Sequence, residues 1–114
     1  MGEPEPEELA LSLLEGARQD IRDIASLHLE LVGPISAKKI TDRILDALEV
    51  LCTSPELGFK ARDTELREKG YRMLVVAHYI CIYRRIQNTI YVYHIADGRS
   101  DYPRLFGELK NEKD

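Results

Sequence analysis

The sequence predicts an α+β domain with the element order β-α-α-β-β-β, an antiparallel meander with a two-helix hairpin packed on one face of the sheet. Three observations lead there. Apolar residues of the first half recur at helical spacing in two successive stretches. The second half switches to runs rich in Val, Ile and Tyr, residues that suit a pleated surface. Two-residue interruptions part those runs, as tight hairpins require.

Leu9 to Leu14 is a short apolar run that fits a strand or the opening of a helix, and periodicity alone does not decide between them. Ala17, Ile21, Ile24, Ala25, His28 and Leu31 then form one face of a helix, with Arg18, Asp20, Arg22 and Asp23 opposite. Gly33-Pro34 ends it, and Ser36 is the expected N-cap of a second helix carrying Ala37, Ile40, Ile44, Ala47, Leu48 and Leu51. A joint of about four residues makes the two an antiparallel pair. The stretch from Thr53 to Gly58 stops the second helix, and Lys60 to Lys69 reads as a charged loop. Three strands follow at 71–77, 79–86 and 89–95, with turns at Ala77-His78 and Gln87-Asn88, where Asn tolerates a left-handed backbone. A short, partly helical coda covers Tyr102 to Leu109.

Of 114 residues, 44% are hydrophobic, enough for one core. The reading is one domain over 9–106, between a disordered acidic tail at 1–8 and a charged tail at 107–114. No run approaches the ~20 apolar residues of a membrane span, and the acidic, Pro-punctuated start does not resemble a signal peptide. Cys52 and Cys81 lie in apolar runs without metal-ligand spacing. A soluble, cytoplasmic protein is expected, with no cofactor, no metal and no membrane partner. The net charge of −4 is unevenly spread: residues 57–106 carry nine bases against five acids, while 9–56 carry five against eight. The C-terminal half therefore permits an anionic target without demanding one.

Several local sequences, in order, resemble the RelE/ParE toxins of type II toxin–antitoxin systems, a family that includes plasmid stabilisation proteins. Ala17 to Ile24 resembles the family's first helix, and Ser54-Pro55-Glu56-Leu57-Gly58 its helix-ending Pro-x-x-Gly. Tyr71-Arg72 resembles its Tyr-Arg strand opening, and His78 to Arg84 its Tyr-apolar-apolar-apolar-Tyr-Arg strand. Ile95 to Tyr102 resembles its closing segment with Gly-Arg-x-Asp-Tyr. The resemblance implies a growth-inhibiting toxin neutralised by a cognate antitoxin that wraps a helix or strand over it.

Some relatives cut messenger RNA on the ribosome, and others poison DNA gyrase without cutting RNA. Cleavage by the 2′-hydroxyl needs a base, an acid and fixed cations at the phosphate. The resemblance implies Arg72 as a functional basic residue of the RNA-cutting relatives, Arg99 as a phosphate-contacting cation and Tyr102 as general acid or stacking ring. His94, in strand phase with Ile90 and Val92, is a further acid–base candidate, against a packed, hydrogen-bonded histidine. His78 reads as a turn residue and His28 as a helix-face residue. Arg84 and Arg85 point to opposite faces of their strand. Ile80 stands where the RNA-cutting relatives tend to carry an essential Arg, a departure that favours gyrase, while the paired Arg72 and Arg99 and the aromatic-rich sheet favour messenger RNA cleavage, the first reading. Endoribonuclease, non-enzymatic gyrase inhibitor and inactive relative that only binds its antitoxin as co-repressor all stay open.

Overall fold

A computed structural model describes residues 8–99 and Leu109. The chain runs β1 (Ala10–Leu13), α1 (Glu15–Leu31), α2 (Pro34–Val50), β2 (Phe59–Lys60), α3 (Thr64–Glu68), β3 (Tyr71–Val76), β4 (Tyr79–Ile86) and β5 (Thr89–Asp97). The five strands form one sheet in the order β1-β5-β4-β3-β2. The predicted meander is its centre: β3 pairs antiparallel with β4, and β4 with β5. Leu9 to Leu14 resolves as a strand, because Ala10–Leu13 pairs in parallel with Thr89–Val92. The helical hairpin makes that parallel return possible, bringing Cys52 back beside the start, where its carbonyl accepts the Leu9 N–H at 2.8 Å.

Both faces of the sheet are covered. On one, Ala17 and Ile24 of α1 and Ile40, Ile44 and Leu48 of α2 pack against Leu74, Val76, Cys81, Tyr83, Ile90, Val92 and Ile95. Burying each large side chain contributes about 1.5–3 kcal/mol. On the other face Leu66 of α3 and Leu109 join Tyr71, Met73, Ile82 and Ala96. Leu109 is thus inside the hydrophobic structure rather than part of a solvated tail.

Four local expectations are corrected. The helices are joined by Val32 and Gly33 alone, with Pro34 as the first residue of α2 and Gly33, at φ 133°, as its N-cap. Proline's fixed φ presets a first helical turn, so the helix starts two residues before Ser36 and that hydroxyl is free for other use. The stretch from Lys60 to Lys69 is not all loop. It holds α3, capped by Asp63, whose carboxylate accepts the Leu66 N–H at 3.1 Å. Five residues are too few to display a helical period. In both hairpins the left-handed residue is the first of the loop, Ala77 (φ 57°) and Gln87 (φ 54°), so Asn88 does not carry that strain. The turn geometry sets the position, and the residue there bears it.

Candidate functional site

Strand phase holds as far as His94 and breaks directly after it. The β4–β5 register steps from Ile82↔His94 to Tyr83↔Val92, so Tyr93 is an extra residue, a β-bulge. After it the helix-facing set shifts from Ile90 and Val92 to Ile95. His94 lies on the α1 side, with Ile90 and Val92, and its Nδ1 is 3.2 Å from the Asp20 carboxylate. Its side chain is 16% exposed. Asp20 also accepts the Ile95 N–H at 2.9 Å, past the point where β1 has ended at Leu13. The carboxylate therefore stands in for a missing strand neighbour.

Arg72 lies at the far side of the sheet. Its Nε and one terminal nitrogen donate to the Gly58 carbonyl at 3.1 and 2.7 Å, and the same nitrogen donates to the Glu56 carbonyl at 3.1 Å. Its cross-strand neighbour Tyr83 donates to the Pro55 carbonyl at 2.8 Å and accepts the Gly58 N–H at 3.0 Å. Strand and tyrosine together hold the segment that follows α2.

Arg99 follows the end of β5. Its guanidinium donates to both Asp97 oxygens, at 3.2 and 3.1 Å, and its N–H reaches Asp97 at 2.9 Å. These donors hold the Asp97 carboxyl down at about 2, and the carboxylate in turn raises the Arg99 pKa. His78 Nε2 lies 3.8 Å from the same carboxylate. Tyr102 lies outside the described residues.

Two residues read as ordinary helix face and strand start are brought into this neighbourhood. His28 of α1 contacts the Ser36 hydroxyl of α2 through Nδ1 and the Tyr79 hydroxyl of β4 through Nε2, each at 3.0 Å. One ring thus ties three elements together. Burial is the main cause of a raised Tyr79 pKa, with the nearby Asp97 charge adding to it. The available signal was a histidine in the last turn of an amphipathic helix, which is too common to mark a site. A hollow of about 200 Å³ lies here, lined by His28, His78, Tyr79, Asp97 and Arg99 with apolar walls. Neither Arg72 nor His94 lines it.

On the opposite face, Arg84 stacks over Tyr71 at 4.7 Å and donates to the Tyr93 hydroxyl at 2.7 Å. No group of three or more His, Cys, Asp or Glu side chains suited to a metal ion occurs among the described residues.

The comparison with family models matches residues 11–102 to the family described as "ParE toxin of type II toxin-antitoxin system, parDE". A comparison with curated proteins finds no match. Among solved structures, the chain is similar to one of the chromosomal ParDE toxin–antitoxin system of P. aeruginosa, with a TM-score of 0.68 and 19% identity, covering 80% of this chain and 97% of that one. It is also similar to one of the RelBE2 toxin–antitoxin complex of Mycobacterium tuberculosis, with a TM-score of 0.60 and 14% identity, covering 79% and 98%. At such identities the structures speak for the fold. The family match spans the sheet, both long helices and the segment through Arg99, and on it the chain belongs to the ParE toxin family of type II toxin–antitoxin systems.

Proposed function

We propose that this chain is a growth-inhibiting toxin that acts by binding a protein, DNA gyrase, rather than by cutting RNA, and that a cognate antitoxin neutralises it. The observation that carries the reading is the separation of the cleavage candidates. Arg72 is engaged by backbone carbonyls of residues 56 and 58, His94 is turned to Asp20 on α1, and Arg99 is clasped by Asp97 beyond the end of β5. RNA cleavage needs base, acid and cation within reach of one phosphate. Neither Arg72 nor His94 lines the hollow that Arg99 lines. Ile80, in place of an arginine, agrees. An antitoxin partner is supported by the likeness to the ParDE and RelBE structures, both of toxin–antitoxin systems.

The test has two arms. Purified chain added to gyrase and relaxed plasmid should block supercoiling, and induction in cells should arrest growth with transcripts intact by primer extension. Cut transcripts that become intact with Arg99→Ala, in a variant that unfolds like the parent, would replace this reading with an endoribonuclease. Harmless induction without the antitoxin would leave only the co-repressor role.

A further inference from the structure

The exposed apolar side chains at the tip of the helical hairpin have no role in the core. Leu31 and Val32 are 74% exposed and Ile35 73%, and Leu27 stands one turn earlier on α1. The fold does not require them apolar, since the tip is already tied down by His28 through Ser36 and Tyr79. Contiguous apolar surface kept in water marks an interaction site.

The shape and charge around these residues say what fits. Between the end of α1 and the start of α2 lies a hollow of about 560 Å³, with Val32, Pro34, Ile35 and Ile40 as its apolar lining and Lys39 and Arg43 beside them. No carboxylate lines it. Its volume falls in the range that accepts a bulky group. On the other side of Val32 is the smaller hollow, where Leu27 and Leu31 meet Arg99, and its one carboxylate, Asp97, is already clasped by that arginine. The apolar ridge thus has two cations, Lys39 and Arg43, on one flank, within the half of the chain where acids outnumber bases, and the neutral Asp97–Arg99 pair on the other. Such a local reversal of sign selects an acidic partner and steers its approach.

We infer that the hairpin tip is the contact surface for the protein on which this toxin acts, and that the tip receives an acidic segment with a bulky apolar side chain between carboxylates. The inference rests on the binding mode proposed above. The apolar side chain enters the hollow over Ile40, and the flanking carboxylates meet Lys39 and Arg43, while the Asp97–Arg99 pair leaves the other flank neutral.

The experiment uses the full chain with Ile35→Ser, with the double variant Lys39→Glu, Arg43→Glu, and with Ile86→Ser as a control at the other end of β4. All these positions are exposed, so thermal unfolding should be unchanged. A variant that does unfold early is replaced by Val32→Thr. Growth arrest on induction without antitoxin, and co-purification with co-expressed antitoxin, are read in parallel. Both tip variants should need at least about tenfold more toxin for arrest, equivalent to about 1.4 kcal/mol of target binding, while the control arrests normally and all three retain the antitoxin. Arrest at the parent's level in either tip variant overturns the inference. So does loss of antitoxin binding in either, which would give the tip to the antitoxin. If the parent arrests growth but spares gyrase, only the gyrase reading fails and the tip variants still decide the tip. A parent that does not arrest growth overturns both.

Discussion

Arg72 and Tyr83, paired across β3 and β4, close on the same segment from the same face of the sheet. Tyr83 bridges the Pro55 carbonyl and the Gly58 N–H, while Arg72 takes the Gly58 and Glu56 carbonyls. The Gly58 peptide groups are thereby satisfied on both sides by side chains, in a place where no full strand passes. A segment leaving a helix with unpaired backbone groups must find such partners or stay in water. The arginine that stands where RNA-cutting relatives often place a basic residue thus holds the chain between α2 and β2.

Tyr83→Phe should therefore destabilise the domain without emptying space. The ring stays, so there is no cavity term, but a buried donor and acceptor each lose their partner. A loss of about 1–3 kcal/mol follows for unmade buried hydrogen bonds. Urea unfolding checks this through a lower midpoint at unchanged slope. An unchanged midpoint would mean that water replaces the hydroxyl.

Gly58→Ala should cost at least as much. A Cβ there would sit 2.5 Å from the Met73 carbonyl oxygen and 2.7 Å from the Tyr83 hydroxyl. Met73 is paired with Phe59 in the sheet, so the backbone atom gives way only if β2 separates from β3. The effect should be about 1–3 kcal/mol, as for other overpacking. It should also be less than additive with Tyr83→Phe, since both loosen one contact. Chemical denaturation of the two single variants and the double closes that cycle.

The elements legible in the sequence were those whose burial pattern repeats. The stripe from Ile40 to Leu51 buries one face many times over and the meander from Tyr71 to Ile95 alternates between two covered faces, so one exception does not hide the period. Three features escaped because each depends on a single interaction. α3 exists through the Asp63 cap and one buried leucine, Leu66. The start of α2 depends on Gly33 accepting φ 133°. The bulge at Tyr93 shows only once β4 is laid beside β5. The candidate site was less legible still. Arg99 was singled out, but His78 reads as a plain turn residue, and His28 and Tyr79 are 51 residues apart and meet only through the packing of α1 on the sheet.

The Asp20 carboxylate should matter to β5 through its backbone as well as through His94. Asp20→Ala removes the acceptor of the Ile95 N–H and the partner of the histidine ring, for an expected loss of about 1–3 kcal/mol. Asp20→Asn can keep an oxygen at the one place where both contacts meet, so it should lose less. Hydrogen exchange at the Ile95 amide separates this from a general loosening. That amide should exchange faster in Asp20→Ala relative to its neighbours on β5, and equal acceleration along the strand would speak against a local role.

The clasp between Asp97 and Arg99 should appear as a pH dependence with a defined sign. The folded carboxyl is held down at about 2 by the Arg99 side chain and N–H. A depressed carboxylate stabilises the fold fully above its ordinary value, and that stabilisation is lost as pH falls through about 2. Because the arginine is 73% exposed, salt should weaken the effect. Carbon-detected NMR titration of the Asp97 carboxyl should give a midpoint near 2 in the parent. Arg99→Ala should raise it only part of the way, because the residue-99 N–H at 2.9 Å remains as a donor. An unmoved midpoint would assign the depression to that N–H alone. At neutral pH Asp97 is ionised with or without Arg99, so removing the guanidinium turns a neutral pair into a bare negative charge beside Leu27 and Leu31. Arg99→Ala should therefore repel an acidic partner from the hairpin tip, and Asp97→Asn with Arg99→Ala should recover part of the lost growth arrest.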